Sequence, residues 1–431
     1  LANVRSAIAV TIAPLALVAA AVAVLLGLHA AGAGFQGDPL AVVRDAASGD
    51  RLFDVAGRRG PVIGVTLLVW LAAFAAAIAA ERLSAPSGAP FPPHTWQRRT
   101  GRAAARVLAL ALVYLPLVCL GCAALGPSVG AERLLVMLGS PALAALTLAA
   151  LGGYGALAVA CGATALAYAI DLIAGSPLTQ LSLVGPNPAA GHRYYGIGNE
   201  LEACLVVLIL VGTGAALSVP VRLLTPMRAK GAPEPARRGA AAFLVVAAVF
   251  TFVFAYGRYG ADVGAAISLP LGATVAAALL ADRPRLALLA FLLPIPALAL
   301  LAVADLLTGA NAHLTRTVLD ANSGGDVLAV IGHRLREAGE SFGRPVLLAG
   351  LPIALAAAAL AWLRRDRLAA WTEAVPAVRA ALLGALAATL VGTLANDSGA
   401  LLLEIGGVYL LAALAFVWSE SGRPDAARPI L

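Results

Sequence analysis

The chain has 431 residues, 61% of them apolar and 12% charged, with a net charge of +7. Soluble domains carry about 25% charged residues, and a soluble fold of this composition would need a core far larger than one domain builds. The positive balance sits in arginine-bearing loops, which is the mark of membrane orientation and gives no reason to expect a nucleic-acid partner.

Taken in order, twelve apolar segments are predicted, at about 6–29, 61–80, 104–125, 134–152, 154–174, 200–219, 240–257, 264–281, 285–305, 346–363, 379–395 and 400–418. Runs of this length are transmembrane helix candidates. The fold class is therefore all-α, a polytopic membrane helix bundle of about twelve spans in a single domain. Arg5 ahead of the first run resembles a signal peptide, but Ala7 to Ala30 is too long for the apolar part of one, so a spanning helix is expected. The fourth and fifth segments form a hairpin through Gly152 and Gly153. Cys119, Cys122, Cys161 and Cys204 all lie inside apolar segments. Without a second pair nearby, Cys119-x-x-Cys122 reads as small-residue packing rather than a redox or metal pair.

The loops set the orientation. Arginine and lysine gather at Arg98, Arg99, Arg102 and Arg106, at Arg222, Arg228, Lys230, Arg237 and Arg238, at Arg283 and Arg285, and at Arg364, Arg365 and Arg367. With twelve spans all four clusters fall on one side, which the positive-inside rule makes cytoplasmic together with both termini. Residues 221–238 form a basic cytoplasmic linker between the first six spans (1–220) and the last six (239–431). The opposite side holds the loop from Gly32 to Arg59, the stretch Gly185–Glu200, a long loop at 305–345, and Asn396–Gly399. Arg58 and Arg59 are exceptions to the charge pattern. Within the long loop, Val327, Ile331, Leu335, Ala338 and Phe342 recur at helical spacing, which predicts a helix lying on the membrane surface.

Two polar knots carry the candidate chemistry. The first holds His192, Arg193, Tyr194, Tyr195, Gly196, Ile197, Gly198, Asn199 and Glu200. It lacks the third glycine of a dinucleotide fingerprint. Asn199 could cap the sixth span, with Glu202 completing a capping-box arrangement. That leaves Arg193, Tyr194, Tyr195 and Glu200 without a structural reason to be clustered. The second knot is Asn396-Asp397-Ser398-Gly399, where any of the first three residues could cap the last span. Glu404 lies about a turn and a half further on, where a carboxylate is costly unless paired or wet. Asp171, near the end of the fifth span, is a third carboxylate candidate, or a side chain snorkelling to the interface. In the long loop His313, Arg316, His333 and Arg334 form either a basic face touching lipid headgroups or a clamp for a phosphate.

These knots resemble the motifs of an uncharacterised bacterial multi-pass membrane family, Arg-aromatic-x-Gly-x-Gly-Asn followed later by Asn-Asp-Ser-Gly. Here they read Arg193-Tyr194-Tyr195-Gly196-Ile197-Gly198-Asn199 and Asn396-Asp397-Ser398-Gly399. Some members of that family carry an alkaline-phosphatase-like extracytoplasmic domain, which is not expected within this sequence. The arrangement is also similar, at the level of architecture, to O-antigen ligases and related polymerases, which place a long outer loop between spans nine and ten.

The expectation drawn from these residues is a site at the outer face of a bacterial cytoplasmic membrane. The span middles are nearly free of ionisable groups, whereas ion-coupled transporters place some there. A transferase acting on a lipid-linked, phosphate-bearing envelope intermediate fits best. Glu200, Asp397 and Glu404 would supply acid–base chemistry. His192, Arg193, Tyr194, Tyr195, Asn199, His313, Arg316, His333, Arg334, Asn396 and Ser398 would bind substrate. No cofactor is implied, and a divalent metal at the carboxylates stays open. The alternatives are a transporter or flippase with six spans in each half, for which Asp282-Arg283 is a faint loop signature, and a non-catalytic membrane partner of a phosphatase-like protein.

Overall fold

The computed structural model describes residues 54–83, 94–186, 196–219, 234–292, 336–343, 363–396 and 398–421, with positions 300, 332 and 359. Among them there is no strand. Among the described residues nine helices are long and apolar enough to cross a membrane. They are α1 (Asp54–Ala76), α2 (Gly101–Leu125), α3 (Val129–Leu151), α4 (Gly153–Ile173), α5 (Asn199–Ser218), α6 (Ala236–Ala255), α7 (Val263–Leu280), α8 (Pro376–Ala395) and α9 (Gly399–Glu420). The protein is thus a multi-pass, all-helical membrane protein. The expected first span and most of the ninth and tenth lie outside the described residues, except that Pro284–Phe291 forms a short 3-10 helix.

The bundle is organised around α5, whose side chains from Leu201 to Val211 are all buried. A helix apolar on every face belongs in the middle of a bundle. It packs on α4, α7, α8 and α9. Small residues bring the backbones together: a methyl group added at Gly272 of α7 would stand 2.7 Å from Leu210 and 2.8 Å from Ala388. Without an apolar driving force between helices in lipid, such close contact is what holds them. The outward faces of α1 and α3 carry exposed leucines such as Leu68, Leu71, Leu134 and Leu138, as lipid-facing surfaces do.

Several sequence expectations are met in detail. Gly152 and Gly153 separate α3 from α4, both with positive φ. Cys119, Cys122, Cys161 and Cys204 are buried thiols. Residues 336–341 are helical, matching the end of the predicted surface helix. One boundary differs: Arg58 and Arg59, read as loop, stand in helix α1. The helix begins earlier than the apolar run because both guanidiniums find partners. Arg58 pairs with Glu132 at 2.5 Å and with Asp54 at 3.1 Å.

Contacts sort the connections onto two ends. At one end Arg58 meets Glu132, Arg59 meets the 185–186 turn, Ile197 N–H donates to Gly260 O at 3.0 Å, and Asn199 meets Asn396. At the other end Arg106 pairs with Glu420 at 2.8 Å, and Gly239 abuts Leu217 and Leu280. The arginines Arg237, Arg238, Arg283, Arg285, Arg364, Arg365 and Arg367 are exposed at that second end.

Candidate functional site

The turn that follows α4 is folded inward. Ser176, Thr179, Gln180 and Ser182 are all buried. Asp171 organises this turn: its carboxylate accepts from Leu178 N–H at 3.1 Å, Thr179 N–H at 2.7 Å and the Thr179 hydroxyl at 2.6 Å. This corrects the snorkelling reading of Asp171, which is 1% exposed. A carboxylate accepting several hydrogen bonds is a good anchor for buried backbone amides. Tyr168 donates to Pro116 O at 2.8 Å, tying the same region to α2.

The chain leaves this turn at Pro186 and returns at Gly196, and the two strands of that stem touch. The Gly198 position lies against the Pro186 backbone. The Arg59 guanidinium donates to the carbonyls of Gly185 and Pro186, the latter at 2.8 Å. On its other side Arg59 stands 3.9 Å from the Glu200 carboxylate. Gly196 has φ +79, and a side chain there would strike Gly260 O, so glycine is required for the return. Gly196 N–H donates to the Ser176 hydroxyl at 3.3 Å.

The two knots, far apart in sequence, are joined. Asn396 Nδ2 donates to Asn199 Oδ1 at 3.2 Å and to Glu202 Oε2 at 3.0 Å. Ser268 of α7 donates to Glu202 Oε1 at 2.9 Å. Glu202 is fully buried, and Ser268 and Asn396 are nearly so. Gly264 makes room, since a methyl group there would stand 2.5 Å from Glu202 Oε2. Asp262 accepts from Gly264 N–H at 2.8 Å and caps α7. A buried carboxylate demands such hydrogen bonding, because desolvation without it is expensive.

Ser398, one of the three expected candidates, takes the cap position of α9, but at neither helix does the cap residue's side chain make the capping bond. Gly198 holds the cap position of α5 with no side-chain bond, and Asn199, the first helical residue, turns its side chain to Asn396. At Ser398 the capping bond from the side chain to the first turn of α9 is not made. The free amide of Ala400 is satisfied instead by the Ser341 hydroxyl at 3.0 Å, supplied by the long loop. Asn396 Oδ1 accepts from Ser398 N–H at 3.3 Å. Capping gave way because each asparagine gains a buried amide partner that a solvated cap would not offer.

Of the remaining site residues, Glu200 is described and its side chain is 31% exposed, so it is the reachable carboxylate of the group. Leu402 of α9 lines the space beside Glu202 and Ser268, and Glu404, two residues on, lies about 200° around the helix from it. Its Oε1 is buried with no hydrogen-bond partner among the described residues. His192, Arg193, Tyr194, Tyr195, His313, Arg316, His333, Arg334 and Asp397 lie outside the described residues. No group of three or more His, Cys, Asp or Glu side chains gathers as metal ligands among the described residues.

Glu202, Ser268 and Arg59 were not singled out as site residues from the sequence. Glu202 had a signal, a second carboxylate within the first turn of an apolar helix, which the capping box absorbed. Arg59 had one too, as an arginine on the wrong side of the charge pattern. Ser268, inside a run of small apolar residues, had none.

Comparison of the chain with protein-family models, with curated proteins and with solved structures finds no match in any of the three.

Proposed function

We propose that the protein is a membrane transferase working at the end of the bundle where the two knots meet. Its substrate would be a lipid-linked, phosphate-bearing envelope intermediate, and that end would face outward from a bacterial cytoplasmic membrane. The observation that carries this reading is the union of Asn199 and Asn396 at one end, with the reachable Glu200 carboxylate beside Arg59. A general base must come within hydrogen-bond reach of its acceptor hydroxyl, which favours Glu200 over the fully buried Glu202. Glu202, Ser268 and Asn396 act as the frame that fixes the start of α5. Arg193, with the arginines of the long loop, would hold the phosphate. Below the knots α5 is buried and apolar from Leu205 to Val211, which gives a transport path little to follow.

The test uses the purified full chain with a polyprenyl pyrophosphate-linked sugar as donor and a hydroxyl-bearing oligosaccharide as acceptor of the transferred sugar. Release of polyprenyl pyrophosphate is expected, along with thermal stabilisation by the phosphate-bearing lipid and not by the free polyprenol. Glu200→Gln should keep the stabilisation and lose the release. Equal effects of the two lipids, with no release, would overturn the reading. Reporter fusions near residues 190 and 230 test the orientation independently.

A second reading, a transporter, is favoured by one observation. The knots open the sixth and the last of the expected spans, corresponding places in two sets of six, and they meet. Substrate sites of transporters form where breaks from two halves converge. Flux of a fluorescent polyprenyl lipid across sealed proteoliposomes would select that reading.

A further inference from the structure

Arg102 and Arg106 stand one turn apart at the start of α2, and the bundle answers them differently. Arg106 pairs with Glu420 at 2.8 Å. Arg102 lies over the Trp418 ring of α9, its guanidinium carbon 5.5 Å from the ring centre. A cation is attracted to an indole face, but the ring takes only the flat side of the guanidinium, and the N–H groups in its plane still need acceptors. One of them, Nε, is buried with no hydrogen-bond partner among the described residues. A buried donor without an acceptor is costly, and Nε belongs to the planar fork that takes an oxyanion through two parallel bonds. Arg102 and Trp418 are both half-buried, so the pair stands at the surface of the bundle rather than inside it.

Its place fixes the kind of anion. Arg102 is the second residue of the α2 span and Trp418 the third from the end of α9, the level at which tryptophan marks the boundary between hydrocarbon and headgroups. From Trp418 a stripe at helical spacing runs along α9 through Leu414, Leu411 and Val408. Leu411 is 48% exposed and Val408 45%. A cationic end above an exposed apolar stripe matches a phospholipid, with phosphate at one end and acyl chain along the other.

We propose that Arg102 and Trp418 bind the phosphate of an anionic membrane phospholipid, whose acyl chain lies along the Leu411–Val408 stripe of α9. The guanidinium grips phosphate oxygens in its plane while the indole supports its face. Arg237, Arg283 and Arg285, exposed at the same end, supply the positive field that gathers anionic lipid, and Arg102 supplies the fixed contact. A headgroup with its own cation would set that cation among arginines, so a net-negative headgroup is selected. The proposal does not rest on the transferase reading, since it concerns the opposite end of the bundle from the joined asparagines.

The experiment is the unfolding midpoint of the purified full chain in detergent, titrated with phosphatidylglycerol or with phosphatidylcholine. A lipid that binds only the folded state raises the midpoint in a saturable way. Phosphatidylglycerol should do so, phosphatidylcholine much less, and inorganic phosphate not at all. Arg102→Gln should raise the half-saturating mole fraction of phosphatidylglycerol about tenfold. Arg102→Lys should restore little of the affinity, because an ammonium lacks the fork. Arg285→Gln removes an equal charge at the same end and should leave the value nearly unchanged. Each variant is compared with its own midpoint in lipid-free detergent, so a less stable variant still reports its lipid response. Equal responses to the two lipids would overturn the proposal. So would equal losses in Arg102→Gln and Arg285→Gln, which would mean that anionic lipid is drawn to the arginine-rich end as a whole. Stabilisation by inorganic phosphate alone would assign the contact to a free anion and overturn the lipid reading.

Discussion

Asn396 and Asn199, 197 positions apart, meet through a 3.2 Å hydrogen bond between their side-chain amides. The same Asn396 nitrogen serves the buried carboxylate of Glu202. Asn396→Ala should therefore destabilise the protein by about 2–3 kcal/mol, because a buried acceptor loses a donor. Asn199→Ala should cost about 1 kcal/mol. The double variant should fall short of the sum by about 0.5 kcal/mol or more, as groups in one network do. Chemical or thermal unfolding of the three variants checks this, and strict additivity would show that the asparagines act separately.

All four cysteines are buried. A thiol-reactive fluorophore should leave the folded protein unlabelled and label it in step with unfolding. This supplies the readout for every variant here. Rapid labelling of Cys119 or Cys122 in the native protein would contradict the packing of α2.

Glycine substitutions should split by sign. Gly264→Ala puts a methyl group 2.5 Å from Glu202 Oε2 and 2.9 Å from Asn396 Nδ2, and should cost about 1–3 kcal/mol by overpacking. Gly407→Ala, in α9, meets nothing within 4 Å. It should stabilise by about 0.5–1 kcal/mol through helix propensity. Unfolding midpoints shifted in the same direction would refute the distinction.

Asp171→Ala removes the acceptor for two backbone amides and one hydroxyl. A loss of about 3 kcal/mol is expected, hydrogen bonds to a charged group being the stronger kind. Hydrogen exchange should rise first at Leu178 and Thr179. Exchange spread evenly along α4 would assign Asp171 a different role.

At the opposite end, Arg106 and Glu420 are 13% and 5% exposed and pair at 2.8 Å. Arg106→Gln alone should cost about 3–5 kcal/mol, and adding Glu420→Gln should recover part of it, because the charge left behind is the main penalty. Unfolding midpoints decide this, and no recovery would show that Arg106 acts chiefly through Ser419 and the backbone.

Much of this molecule was readable from apolar run length. The nine candidate spans sit where nine of the runs were expected, and the Gly152–Gly153 hairpin was marked by its glycines. The site was legible as two knots but not as one place. Nothing in a single sequence says that residue 396 meets residue 199, since that contact is set by how α5, α7 and α8 pack through Gly264, Gly272 and Gly384. Local rules misled where tertiary partners were stronger. Asn199 looked like a cap, Asp171 like an interfacial side chain, and Glu202 like half of a capping box, and each found a buried partner instead.

Arg58 and Arg59 also bear on the order in which the chain is made. Their carboxylate partners arrive late: Glu132 belongs to the third helix and Glu200 to the fifth. During synthesis the first of these helices must hold two guanidiniums in water or among headgroups, with Asp54 beside Arg58. Its depth and tilt are therefore provisional until α3 and α5 have inserted. Assembly of this end of the bundle runs backwards along the chain, with the later helices fixing the earlier one.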